Sequence, residues 1–133
     1  MDKDLKNSVN GFIAVNIQAI STDTTTAGTA IDLGDIAEEY GYESLTFVLL
    51  TGVRSAGTAT ILVEDSDDDS TYIAVSNDFL IGTEGTLNAA NSFSIVGYNG
   101  KKRYVKASIV SATSANLTAG VLAILGDKTS QPV

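Results

Sequence analysis

The chain contains no cysteine, no histidine and no tryptophan. Without cysteine there is no disulfide, no thiolate nucleophile and no cysteine metal site. Without histidine the commonest general base and the commonest zinc ligand are missing. Proline occurs once, at Pro132, so the body of the chain is clear of the residue that most disrupts a sheet ladder. Cations are scarce: 8 Lys plus Arg stand against 16 Asp plus Glu, for a formal net charge of −8. Such a chain has little with which to replace phosphate counterions or to hold an anionic bilayer, so neither nucleic acid nor membrane is expected as a partner. Long apolar runs are missing too. The longest, Leu45–Leu50, falls far short of the roughly 20 residues of a spanning helix. The polar start, Met1-Asp2-Lys3-Asp4-Leu5-Lys6-Asn7-Ser8, has no apolar core of a signal peptide. Synthesis and retention in the cytoplasm is the expectation, with secretion by another route left open.

What is present reads as β-structure. The length, 133 residues, suits one domain. Residues 1–10 form a charged arm without periodicity, 11–126 one β domain, and 127–133 a short tail. Segments rich in Val, Ile, Thr, Phe and Tyr recur between Gly, Asn, Asp and Ser clusters, the pattern of successive strands. Strands are predicted near Gly11–Ile20, Leu45–Val53, Thr58–Asp65, Thr71–Ser76, Ser92–Tyr98, Arg103–Ser111 and Leu117–Leu125, with a weaker one near Thr29–Leu33. Val105, Ala107 and Ile109 alternate with Tyr104, Lys106 and Ser108, as in a strand wet on one face. Ile13, Val15 and Ile17 alternate with Ala14, Asn16 and Gln18 in the same sense. Leu45–Leu50 and Val121–Leu125 are apolar on both faces, as in central strands or strands covered by a neighbouring subunit. One short helix is offered by Asp32–Gly41, with Asp35 as cap and Gly41 as stop. Ser21–Gly28 and Ser111–Asn116 read as polar loops. The fold class expected is all-β: an antiparallel β-sandwich or small barrel with at most one short helix.

Few constellations carry chemistry. Asp65, Asp67 and Asp69 have the one-three-five spacing of a calcium loop. Position six is Ser70 rather than Gly and position twelve is Ser76 rather than Glu, so a solvated hairpin turn is the ordinary reading, with the three aspartates kept as weak calcium candidates. Lys101, Lys102 and Arg103 form the basic cluster, after the hairpin-turn candidate Tyr98-Asn99-Gly100. They are the candidates for ion pairing with an acidic partner, against the plainer reading of a solvated strand start. No Ser-His-Asp or Cys-His pair, P-loop, G-x-S-x-G or G-x-G-x-x-G occurs. No enzyme activity and no cofactor are expected. The nine scattered aromatics are expected mostly in or beside the core, with Tyr72 and Tyr104 as candidates for an exposed sugar-binding platform.

The order of segments adds a resemblance. Ile31-Asp32-Leu33-Gly34-Asp35 leads to Tyr42-Glu43-Ser44-Leu45-Thr46-Phe47-Val48, then to the acid-rich stretch Val63–Val75. Leu80-Ile81-Gly82-Thr83-Glu84, Gly97–Lys106, Val121–Gly126 and the ending Gln131-Pro132-Val133 follow. This series, over most of residues 29–133, resembles small β-rich proteins encoded in the head modules of tailed bacteriophages. The resemblance implies a virion protein of the decoration or cement type, on the capsid exterior, binding the outer face of the major capsid protein lattice. It implies a homo-oligomer, a trimer among the options, and no catalytic residues to transfer. Other virion roles (tail, neck or head fibre) and a carbohydrate- or calcium-dependent adhesion module are the alternatives.

Overall fold

Two strands of 23 residues each, β4 (Ser44–Ser66) and β9 (Tyr104–Gly126), organise the molecule. The computed structural model describes residues 9–34 and 44–126. β4 and β9 pair antiparallel from end to end, Ser44 opposite Gly126 and Ser66 opposite Tyr104. A straight strand of that length would run about 75 Å, too long for a domain of this size. Both strands therefore bend at mid-length. The register is irregular between Thr51 and Thr58 and then resumes with its original offset.

The chemistry of the bend is local. Gly57 has φ of +85°, and a Cβ there would lie 2.4 Å from the Ala115 Cα. On β9 the bend passes through Thr113 and Ser114 with φ of 63° and 58°, the left-handed region that a β-branched residue rarely enters. The Asp23 carboxylate steadies it, accepting the backbone N–H groups of Ser114 (3.2 Å) and Ala115 (2.9 Å).

Among the described residues the bend divides one open nine-stranded antiparallel sheet into two layers. In the first layer, β1 (Asn10–Ile20) pairs with the second half of β9. That half pairs with the first half of β4, followed by β8 (Phe93–Tyr98) and the two-residue β6 (Leu80–Ile81). In the second layer, β2 (Thr25–Ala27) and β3 (Ile31–Asp32) flank the first half of β9. β5 (Ile73–Ala74) and β7 (Thr86–Leu87) flank the second half of β4. A 3-10 turn at Asn77–Phe79 is capped by Ser76, whose side chain accepts the Asp78 N–H.

One parity of residues faces inward through both halves. Leu45, Phe47 and Leu49 before the bend, and Ala59, Ile61 and Val63 after it, join Val105, Ile109, Val121 and Leu125 in a single buried cluster. Each large side chain so buried contributes roughly 1.5–3 kcal/mol. The layers close on each other at Gly28, where a Cβ would meet Ala107 O in one layer at 2.1 Å and Ala14 O in the other at 2.6 Å. The neighbouring Thr29 N–H donates to Ala14 O at 2.9 Å. Among the described residues no helix is long and apolar enough to cross a membrane.

Several expectations change in detail. Leu45–Val53 and Thr58–Asp65 are one strand, as are Arg103–Ser111 and Leu117–Leu125. The loop expected at Ser111–Asn116 is the bend itself. The Ser21–Gly28 loop holds β2, and Thr71–Ser76 contracts to Ile73–Ala74. Tyr98–Gly100 is not a hairpin turn, because β8 pairs with β4 and the chain from Asn99 crosses to the other layer to begin β9. Bulges in β1 break its alternation: Val15 and Ala14 are buried while Ile13 and Ile17 point outward, 55% and 66% exposed. Ser108, placed on the wet face by alternation, is buried. Among the aromatics Phe47 and Tyr98 are buried, but Phe79 and Phe93 are exposed. The helix expected at Asp32–Gly41 has only its start, Leu33 and Gly34, among the described residues. Residues 1–8 of the arm and the whole 127–133 tail fall outside them, while Asn10 already belongs to β1.

Candidate interaction surfaces

The acid-rich turn follows β4 directly, and its carboxylates turn to different partners. Asp68 accepts the backbone N–H groups of Ser70 and Thr71, both at 3.0 Å, and the Ser66 hydroxyl at 2.8 Å. These donors, the Thr71 amide first, hold its carboxyl below the usual carboxylate range. Asp69, at φ of 58°, accepts the Tyr72 hydroxyl. Burial first, and then Asp69, push the Tyr72 phenol above its ordinary value. Asp65 is buried and faces Tyr98, whose hydroxyl donates to it at 2.9 Å. Of the calcium candidates Asp65, Asp67 and Asp69, the first thus serves the interior, the third a tyrosine, and Asp67 is exposed beside Lys102. Among the described residues no three acids converge as metal ligands would.

The basic cluster is drawn back onto the chain's own acids. Lys102 Nζ lies 4.0 Å from Asp65 and 3.9 Å from Asp67. Arg103 donates to both oxygens of Asp32, at 2.7 and 2.8 Å, a fork that ties the start of β9 to β3. Lys101 stays exposed. Asp65, Phe79, Gly100, Lys101 and Lys102 line a shallow cavity of about 190 Å³, below the size of an ordinary small-molecule site. Tyr98 closes this network, its hydroxyl also accepting the Lys102 N–H at 3.2 Å. Burial first, then the bond to Asp65, push its phenol up.

The outward faces of the two layers differ in kind. On the second layer Glu64 stands opposite Lys106, and Thr60 and Thr86 share a hydrogen bond of 2.7 Å. Lys106 Nζ sits 4.3 Å from the Tyr72 ring centroid and the Arg103 guanidinium 5.2 Å from that of Tyr104. The two tyrosines considered for a sugar platform thus each carry a cation over the ring.

Among the described residues, and short of the bend that holds Arg54, no strand residue of the first layer is charged. Register sets its outward side chains in rows. One row runs Ile13, Leu122, Val48, Ile95 across four strands. The next pairs Leu50 with Phe93, which is 64% exposed. At the far side Ile81, 65% exposed, lies over Gly97, and Ile17 lies over Gly120, whose missing side chains let both spread along the sheet. Alternation could not reveal this face in β1, where bulges reverse it. The signal available was the double-sided apolarity of Leu45–Leu50 and Val121–Leu125, whose even-numbered members (Thr46, Val48, Leu50, Leu122 and Ile124) are the half-buried outward residues.

Neither family models nor curated proteins match the chain. Solved structures do. The PBSX exported protein XepA superposes with a TM-score of 0.64 at 13% identity, over 93% of this chain. The chain spans 39% of the length of XepA. A subunit of the disulfide-linked pili formed by Bacillus endospore appendages aligns over 92% of this chain and 90% of its own length, at 12% identity and a TM-score of 0.45. At these identities what is shared with XepA is the fold.

Proposed function

We propose that this chain is a structural protein of a tailed-phage particle, attached to the outer face of the major capsid protein lattice, which it reinforces. The observation that carries the assembly part of this reading is the first layer, uncharged short of the bend among the described residues, with its exposed apolar face on a molecule of net charge −8. A monomer in water gains nothing from such a face, whereas an assembly component needs one. Two further features support it. The double-layer sheet is tied at both ends of its long strands, so it offers a rigid surface. The order of sequence segments resembles that of phage head-module proteins. A homo-oligomer would multiply weak contacts with a repeating lattice through avidity.

The test is the composition of purified particles from the encoding phage or prophage. Mass spectrometry and immunogold labelling are expected to find the chain on heads, in numbers proportional to capsid subunits. Absence from particles, or presence only on tails, would overturn the capsid reading. A second reading, a component released from the host outside particles, is favoured by the fold shared with an exported PBSX protein. It would place the chain in the medium free of particles.

A further inference from the structure

We propose that the outward face of the first layer is the contact between two copies of this chain, packed sheet against sheet. The inference rests on the assembly reading of the same face and names its occupant. Three observations point to a second copy. The first is electrostatic. Two chains of net charge −8 repel as wholes, and outside this layer both carry exposed acids. Among the described residues this layer has no charged strand residue short of the bend, so it is where like copies approach with least repulsion. An uncharged face also offers nothing by which a partner of opposite charge would be selected.

The second is size. With roughly 200 Å² for a fully exposed large apolar residue, the five exposed and four half-buried side chains present on the order of 700 Å². That exceeds the largest apolar patch of an ordinary monomer and is close to the ~800 Å² per partner of a standard interface. The third is shape. Because Ile81 lies over Gly97 and Ile17 over Gly120, the face carries rows of methyl and methylene groups rather than a pocket. A ridged sheet face is complemented by another, with side chains interdigitating about 10 Å between sheets. A loop or helix would leave most of it uncovered. The contact is isologous, so each row meets the same patch on its mate.

The test uses the full chain. By sedimentation equilibrium the native chain is expected as a dimer or a multiple of it at micromolar concentration. Ile95→Asp and Ile13→Asp are expected to weaken association at least tenfold while leaving the far-UV circular dichroism of the fold unchanged, since both side chains are exposed in the single copy. A cysteine reporter guards against misfolded variants and is clean here because the chain has none of its own. Ile95→Cys is expected to form a covalent dimer on mild oxidation, and Glu64→Cys, on the opposite face, is not. A native chain that stays monomeric to high concentration, or equal cross-linking from the two faces, would overturn the proposal. The attachment reading would still be open to the particle test, with the lattice as occupant of the face.

Discussion

Tyr98 shows how one side chain ties the two layers at the end away from the bend. It comes from β8 in the first layer, reaches Asp65 in the second, and accepts the Lys102 N–H from the crossing segment. Tyr98→Phe leaves the buried Asp65 carboxylate short of a donor, and we expect a loss of about 1–3 kcal/mol in chemical denaturation at neutral pH. The pH dependence follows from the raised phenol. A folded pKa above the unfolded value of about 10 means the contribution is complete below pH ~10. It is lost as the pH rises through the folded value. Alkaline titration of stability is therefore expected to fall less steeply in Tyr98→Phe than in the native chain. Thr113 shows the opposite economy, a β-branched residue held at φ of 63°. Thr113→Asn places a residue that tolerates this region there, and a gain of up to about 1 kcal/mol in thermal or urea unfolding is expected.

At the scale of elements, the bend of the paired long strands decides everything else. Asp23 holds the β9 side of it through two backbone amides, so Asp23→Ala is expected to cost about 1 kcal/mol and to raise amide exchange at Ser114 and Ala115. Gly28 closes the layers where no Cβ fits. Gly28→Val is expected to destabilise by several kcal/mol or prevent folding, read by loss of the cooperative transition. The strands themselves were legible, because Val105, Ala107 and Ile109 keep a strict period of two and the core sits on that parity. Continuity through 52–57 and 111–116 was not. Gly52, Gly57 and the Ser and Thr residues there carry the same composition as a hairpin loop, and only the partner strand reveals that pairing resumes in register. β1 misled for a related reason: two bulges bring Val15 to the inner face between the outward Ile13 and Ile17, and a bulge leaves no mark in composition. The acid-rich turn was legible as a turn from its Asp and Ser content. Asp68 is held by its near neighbours Ser66, Ser70 and Thr71, whereas the inward turn of Asp65 depends on Tyr98 and Lys102, far along the chain.

For the whole molecule, charge is partitioned by layer. The acids and cations of the second layer pair within the chain, as Arg103 does with Asp32 and Lys102 with Asp65 and Asp67. Among the described residues the first layer has no charged strand residue short of the bend, and its exterior is apolar. The central claim is that this exterior is covered in the working protein by a second copy. Hydroxyl-radical footprinting of the full chain at tens of micromolar, read residue by residue by mass spectrometry, tests it most directly. The account expects Phe93 and Ile95 to be labelled several-fold more slowly than their static exposure of 64% and 54% would give, while Val53 and Ile73, at 78% and 59%, react at the full rate. Labelling of all four in proportion to exposure would contradict it.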